Sequence, residues 1–277
     1  MKRTTIVPPF GANPPPHTHA IRRVLDERTV WMAYQPVVDL RTRKVFAYEA
    51  LVRSKAPEFA TPPDLFNAAV EHACTGELGR MLREMSLVGC PNFPLFLNIH
   101  PAELNERYIV QPDDPIFQHD RDVYLEITEG VPLSHFHLCQ TILSEVRDRG
   151  VYLVVDDLGA GYSNLKYIAD LQPRAVKLDR GLIAGLNTTS RLFKLVSAIV
   201  VLCHELGAVV VAEGIETVEE LEAVIESGAQ YGQGYLLARP AFPLPEVKWP
   251  EELLDGSRRR GTKHTLKPRT TTRTRRR

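Results

Sequence analysis

Cysteine is scarce in this chain. Four are spread over 277 residues, at Cys74, Cys90, Cys139 and Cys203, with no CxxC pair among them. That dispersal reads as reduced, largely buried thiols of a cytoplasmic protein. Long apolar runs are missing too. The longest, around Leu195 to Cys203, is far too short to span a bilayer, so no membrane insertion is expected. The N-terminus lacks a basic-then-apolar leader pattern, because MKRTTIVPPFGANPPP breaks at once into prolines. Net charge is also absent, but only as a sum. Of the 34 Lys and Arg, ten lie in Ser257–Arg277, which holds no acid; the remaining 24 face 34 acidic groups, a balance of about −10. The body is acidic and the tail basic. With 44% apolar and 25% charged residues, the composition is that of a globular protein with a sizeable core.

What is there is organised around Val151 to Leu165, VYLVVDDLGAGYSNL. An apolar, mostly β-branched run of the kind found in buried strands is followed at once by Asp156 and Asp157. Side chains alternate along a strand, so two adjacent aspartates diverge unless the chain turns there. A turn at this point lets both face one mouth, where two carboxylates repel unless a cation or proton sits between them. Helix capping explains one aspartate but hardly two followed by Gly-Ala-Gly, and the pair reads as a metal site.

The rest of the chain alternates strand-like and helix-like stretches. Residues 1–19 are Pro-rich and expected to be disordered, as is the basic tail 251–277, leaving one domain over 20–250. Strand composition is seen in 31–40, 45–54, 94–101, 122–130, 151–155, 175–183, 208–216 and 232–240. Helices fit 20–27, 62 onwards, 76–88, 135–148, 190–205 and 218–226. About eight strands alternating with helices make a closed (β/α) barrel the leading architecture, with a doubly wound open sheet as the alternative.

Seven polar residues then fall at or near the ends of seven strands: Glu49, Asn98, Glu126, Asp156, Lys177, Glu213 and Gln233. In a barrel those ends converge on one face, where active sites are built. Taken singly, each reads as a surface residue; at successive strand ends they read as a site. Oxygen donors with no cysteine or histidine among them favour Mg²⁺ or Mn²⁺ over zinc. Such a cluster suits two-metal hydrolysis of a phosphoester, with Lys177 adding positive charge or holding the attacking water.

The same residues carry a family resemblance. YQPVVDL, YEALVR with Glu49-Ala50-Leu51, FLNIH, LEITE, DDLGAGYSNL, VKLD, AEGIET and GQGYLLARP occur in order over roughly residues 31–240. In these segments the chain resembles the EAL domain, the bacterial cyclic di-GMP phosphodiesterase family. The resemblance implies an α/β fold, a modified (β/α)8 TIM-like barrel whose first strand is antiparallel. It implies hydrolysis of cyclic di-GMP to linear pGpG with two Mg²⁺ or Mn²⁺ ions, and a homodimer. It places the metal ligands at Glu49, Asn98, Glu126, Asp156 and Asp157. Lys177 then positions water, Glu213 serves as general base or second-metal ligand, Gln233 lies near the attacking water, and Glu129 anchors the loop after the aspartate pair. Gln35, Leu51 and Arg53 match substrate-contacting positions, Asp179 is grouped with them in a supporting place, and Glu216 is a further supporting position. Two departures are mild: His100 stands where many members have Ser, and the loop reads Leu-Gly-Ala-Gly rather than Phe-Gly-Thr-Gly.

No cyclase-like segment accompanies these motifs, which suggests a stand-alone EAL protein. The competing reading is a receptor that binds cyclic di-GMP, cleaves it slowly or not at all, and signals through a protein partner; the full ligand set argues for the enzyme. The basic tail has no interleaved aromatics for base stacking, so only nonspecific contact with anionic surfaces is expected of it.

Overall fold

The computed structural model describes residues 16–106, 108–128, 133–160 and 165–253. Helix α1 (Pro16–Glu27) leads into β1 (Val30–Asp39) and β2 (Lys44–Ser54). Helices α2 (Pro62–Glu71) and α3 (Thr75–Gly89) precede β3 (Leu95–Asn98). A short α4 (Glu103–Glu106) and two 3-10 turns connect to β4 (Val123–Thr128). Then come α5 (Leu133–Asp148), β5 (Tyr152–Leu158), α6 (Lys166–Leu171), β6 (Ala175–Leu178), a short α7 (Arg180–Ile183) and α8 (Arg191–Glu205). Strand β7 (Val209–Ala212), α9 (Val218–Ser227) and β8 (Tyr231–Gly232) complete the set.

The eight strands close into a barrel in sequence order. Strand β1 is antiparallel to both neighbours, β2 and β8, and every other pairing is parallel. The closed barrel with an antiparallel first strand is therefore the observed fold, and the open sheet is not.

Strand periodicity builds the interior in two layers. Val37, Ala47, Phe96, Tyr124, Val154, Ala175 and Val211 form one buried cluster, with Phe46 and Tyr231 packed against it. Phe96 stacks on Tyr124 at 4.5 Å between ring centroids, and Phe46 on Tyr231 at 4.2 Å. This is an apolar floor. One strand repeat further toward the mouth stand Gln35, Glu49, Asn98, Glu126, Asp156, Lys177, Glu213 and Gln233. Because side chains alternate, a residue two along from a floor residue must face the same interior. The intervening residues, such as Leu97, Leu125, Val155, Val176 and Ala212, pack outward against the helices in the main core.

Capping fixes where several helices start. Thr61 with Asp64, and Thr217 with Glu220, form reciprocal capping boxes at α2 and α9. Helix α1 begins at Pro16, earlier than the helix over 20–27 expected from sequence and inside the stretch expected to be disordered. Residues 1–15 and 254–277, with nearly all of the basic tail, lie outside the described residues.

Several strands differ from expectation. Strands β3, β4, β6 and β7 stop short of the expected 94–101, 122–130, 175–183 and 208–216, and Arg180–Ile183, expected as strand, is helix α7. Strand β5 does not stop before the aspartates but runs through both. Strand β8 covers only Tyr231–Gly232, not 232–240. The chain turns there because Gly234 passes directly over the β7–α9 connection: a Cβ at Gly234 would meet the Ile215 carbonyl oxygen at 2.1 Å. Among the described residues no helix is long and apolar enough to cross a membrane.

Candidate active site

Lys177 is the centre of the mouth. It stands on β6 two residues beyond Ala175 of the floor, and only 1% of it is exposed. Its Nζ lies 2.5 Å from Glu126, 2.7 Å from Glu213, 3.2 Å from Asp156 and 3.4 Å from Glu49. Four carboxylates from β2, β4, β5 and the end of β7 thus share one ammonium. Burial alone would strip the lysine of its proton, but these carboxylates outweigh it and hold the proton far above the usual lysine range.

A line of amides braces Glu49. Gln233 Nε2 donates to Glu49 Oε2 at 2.5 Å and to Gln35 Oε1 at 3.0 Å, and Gln35 Nε2 donates to the Ala238 carbonyl at 3.0 Å. Asn98 Nδ2 donates to Glu49 Oε1 at 3.2 Å. Gln35 and Glu49 are direct cross-strand partners, which brings the first and second strands into this line. Burial works to raise the Glu49 carboxyl, yet Lys177 and the two amides keep it below its ordinary value.

The aspartate pair is resolved by a backbone irregularity. Asp157 has φ of 59°, and the β5–β6 register shifts between Val155 and Leu158. This left-handed step breaks the alternation that would otherwise send Asp157 to the outer face. Carboxylate oxygens of Asp156, Asp157 and Glu213 come within 4.8 Å of one another. Burial, then Asp156, pushes the Asp157 carboxyl up to about 6. Burial is also the largest cause raising Glu213, to about 8. Glu126 is pushed well above its usual range by burial and next by Glu49.

These groups fit a hard divalent cation. Four carboxylates converge on one lysine and Asp157 stands beside two of them, leaving negative charge that a buried site cannot hold uncompensated. Among the described residues Glu126 Oε2 is buried without a hydrogen-bond donor, and the atoms that could ligate a metal are all oxygens.

The remaining sequence-derived candidates sit as follows. Leu51 and Arg53 line a cavity of about 760 Å³ that opens beside Glu49 and Asn98 and runs between β2, α2, α3 and the segment after β3. Arg53 Nη1 donates to the Val52 carbonyl at 2.9 Å. Asp179 caps α7, accepting from Gly181 N at 2.7 Å. Glu216 forms a two-pronged ion pair with Arg180. Glu129 lies outside the described residues, as does the Gly161–Asn164 part of the loop after the aspartates.

Sequence reasoning missed a buried ion triad behind this mouth. Arg83 on α3 donates to Glu103 at 2.5 Å and to Asp114 at 2.8 Å, and all three side chains are at most 3% exposed. Glu103 also accepts from the His100 backbone N–H at 3.0 Å, so the triad ties down the segment that leaves Asn98. A signal did exist in Gly79, one turn before Arg83: a Cβ there would meet the Glu103 carboxylate at 1.8 Å.

A closed barrel carrying a buried acidic cluster at the C-terminal ends of its strands has the architecture of a barrel enzyme. Residues 18–240 match the family model described as the EAL domain, and the chain belongs to that family. Cyclic di-GMP phosphodiesterase PA2567 of Pseudomonas aeruginosa is 30% identical over 231 residues, covering 79% of this chain and 39% of the relative. Protein y4lL of Sinorhizobium fredii is 28% identical over 232 residues, covering 80% of this chain and 28% of the relative. The chain thus spans well under half the length of these curated relatives. An EAL domain protein from Listeria monocytogenes EGD-e superposes with a TM-score of 0.67 at 30% identity, covering 81% of this chain and 93% of that one. Klebsiella pneumoniae BlrP1, solved with manganese and cyclic di-GMP, gives a TM-score of 0.67 at 28% identity, covering 77% of this chain and 56% of that one.

Proposed function

We propose that this chain hydrolyses cyclic di-GMP to linear pGpG. The observation that carries the reading is the ring of buried carboxylates around Lys177, in a family whose relatives include named cyclic di-GMP phosphodiesterases. Glu49, Asn98, Glu126, Asp156 and Asp157 hold two divalent cations, Mg²⁺ or Mn²⁺, as hard oxygen donors do. When bound, the cations neutralise the phosphodiester and lower the pKa of bound water.

The chain's own groups do the rest. Lys177 stays protonated and offers positive charge where charge develops on phosphorus-bound oxygen. Glu213, 2.7 Å from Lys177 and beside Asp156 and Asp157, is placed to serve as general base or as a ligand of the second cation. Gln233 and Gln35 fix the Glu49 carboxylate, and Arg53 at the cavity wall is suited to a phosphate. The enzyme acts in the cytoplasm as a homodimer, and its basic tail touches anionic surfaces only nonspecifically.

Purified protein incubated with cyclic di-GMP and Mg²⁺ or Mn²⁺, with products separated by chromatography, tests this. Metal-dependent pGpG from the parent protein and none from a Glu49→Ala protein supports it. Tight binding without product moves the chain to the receptor class.

A further inference from the structure

The cavity that Glu49 and Asn98 line also carries a stacked ring pair. Phe66 from α2 stacks against His100, with centroids 5.6 Å apart and rings only 10° from parallel. Pro62, Pro63 and Asn67 line the cavity too. An apolar cavity with a few converging polar groups suits a planar heterocycle. Glu49 and Asn98 line the same cavity, so a nucleotide phosphate seated at the metal ligands leaves its base a place beside the Phe66–His100 pair.

Only one ring nitrogen of the histidine can donate. Its Nδ1 accepts the Ala102 backbone N–H at 3.2 Å. An accepting ring nitrogen carries no proton, so the neutral ring bears its proton on Nε2. No group among the described residues is hydrogen-bonded to that nitrogen. The backbone that fixes this tautomer is itself held, because Glu103 of the buried ion triad accepts from His100 N at 3.0 Å.

We infer that His100 is a specificity-determining residue, its Nε2–H donating to the O6 acceptor edge of one guanine of the cyclic dinucleotide, with Phe66 holding the imidazole in plane. This rests on the proposed function of the same site. Adenine presents an amino donor at the corresponding position, so a fixed N–H donor there meets another N–H and rejects it. A site built to pair a polar group discriminates strongly because the wrong partner leaves that group unsatisfied.

The test is steady-state kinetics and calorimetric binding with cyclic di-GMP and cyclic di-AMP, on the parent protein and on His100→Ala, His100→Phe and His100→Gln proteins. Thermal melts check that each variant is folded. The expected result is a rise of about tenfold in KM or Kd for cyclic di-GMP in His100→Ala, as for one lost hydrogen bond. The preference over cyclic di-AMP should shrink in parallel. His100→Phe keeps a ring against Phe66 but no donor, and should fall as far as His100→Ala. His100→Gln places an N–H near the Nε2 position and should recover most of the loss. Unchanged KM and base preference in His100→Ala overturns the inference, as does full retention in His100→Phe, which would assign the effect to packing. A parent protein that binds and cleaves cyclic di-GMP with a base preference indifferent to His100 sinks this inference alone. One that neither binds nor cleaves it sinks the proposed function as well.

Discussion

Lys177 Nζ and Glu126 Oε1 stand 2.5 Å apart, both side chains at most 1% exposed, while Glu126 Oε2 has no hydrogen-bond donor among the described residues. One ammonium serves Glu126 and three further carboxylates, so removing it leaves a cluster of buried like charges. Lys177→Met should abolish hydrolysis and destabilise the metal-free protein by about 3–5 kcal/mol, the usual cost of breaking a buried charge pair. Excess Mn²⁺ should recover part of the stability and none of the activity. Thermal melts with EDTA and with metal check this; equal melting temperatures for parent and variant in EDTA would contradict it.

Stability of the metal-free protein should fall with rising pH. Asp157 titrates at about 6 when folded against 3.8 as its ordinary value, and Glu213 at about 8 against 4.5. A carboxyl raised by folding binds more protons in the folded state throughout that interval, so unfolding becomes easier as pH climbs through it. Urea unfolding in EDTA should give a lower midpoint at pH 8.5 than at pH 5. Saturating Mn²⁺ should flatten or reverse the slope, since ligand carboxylates must shed their protons to bind. A metal-free midpoint independent of pH would contradict the picture.

Two arginines one turn apart on α3 should differ sharply. Arg83 is buried between Glu103 and Asp114, whereas Arg80 pairs with Asp113 at 2.8 Å in solvent, the aspartate side chain 71% exposed. Arg83→Met should cost about 3–5 kcal/mol by leaving two buried carboxylates unpaired. Arg80→Ala should cost about 0–1 kcal/mol. Chemical denaturation of the two variants decides it; similar losses would show that burial does not govern these pairs.

Much of the site was legible because a strand has period two. Phe96 then Asn98, Tyr124 then Glu126, Val154 then Asp156, Ala175 then Lys177: each pair shows a floor residue followed by a functional one on the same face. Asp157 breaks that rule: the adjacent aspartates called for a turn, but its form, a left-handed φ of 59° inside a continuing strand, was not legible. The length of β8 was misjudged because Gly234 just beyond it packs against the Ile215 backbone in the β7–α9 connection, a tertiary contact. The Arg83 triad joins residues 20 and 31 positions apart, and such pairings arise only when tertiary packing closes. The tautomer of His100 likewise depends on a backbone N–H that sequence cannot orient.

The most direct measurement is a metal titration of catalysis. Protein stripped with EDTA and dialysed should leave cyclic di-GMP intact, and stepwise Mn²⁺ should restore pGpG formation in the parent while Asp156→Asn and Glu126→Gln proteins stay inactive. Full turnover by the stripped protein, or by either variant at parent rates, would contradict a metal site at these carboxylates.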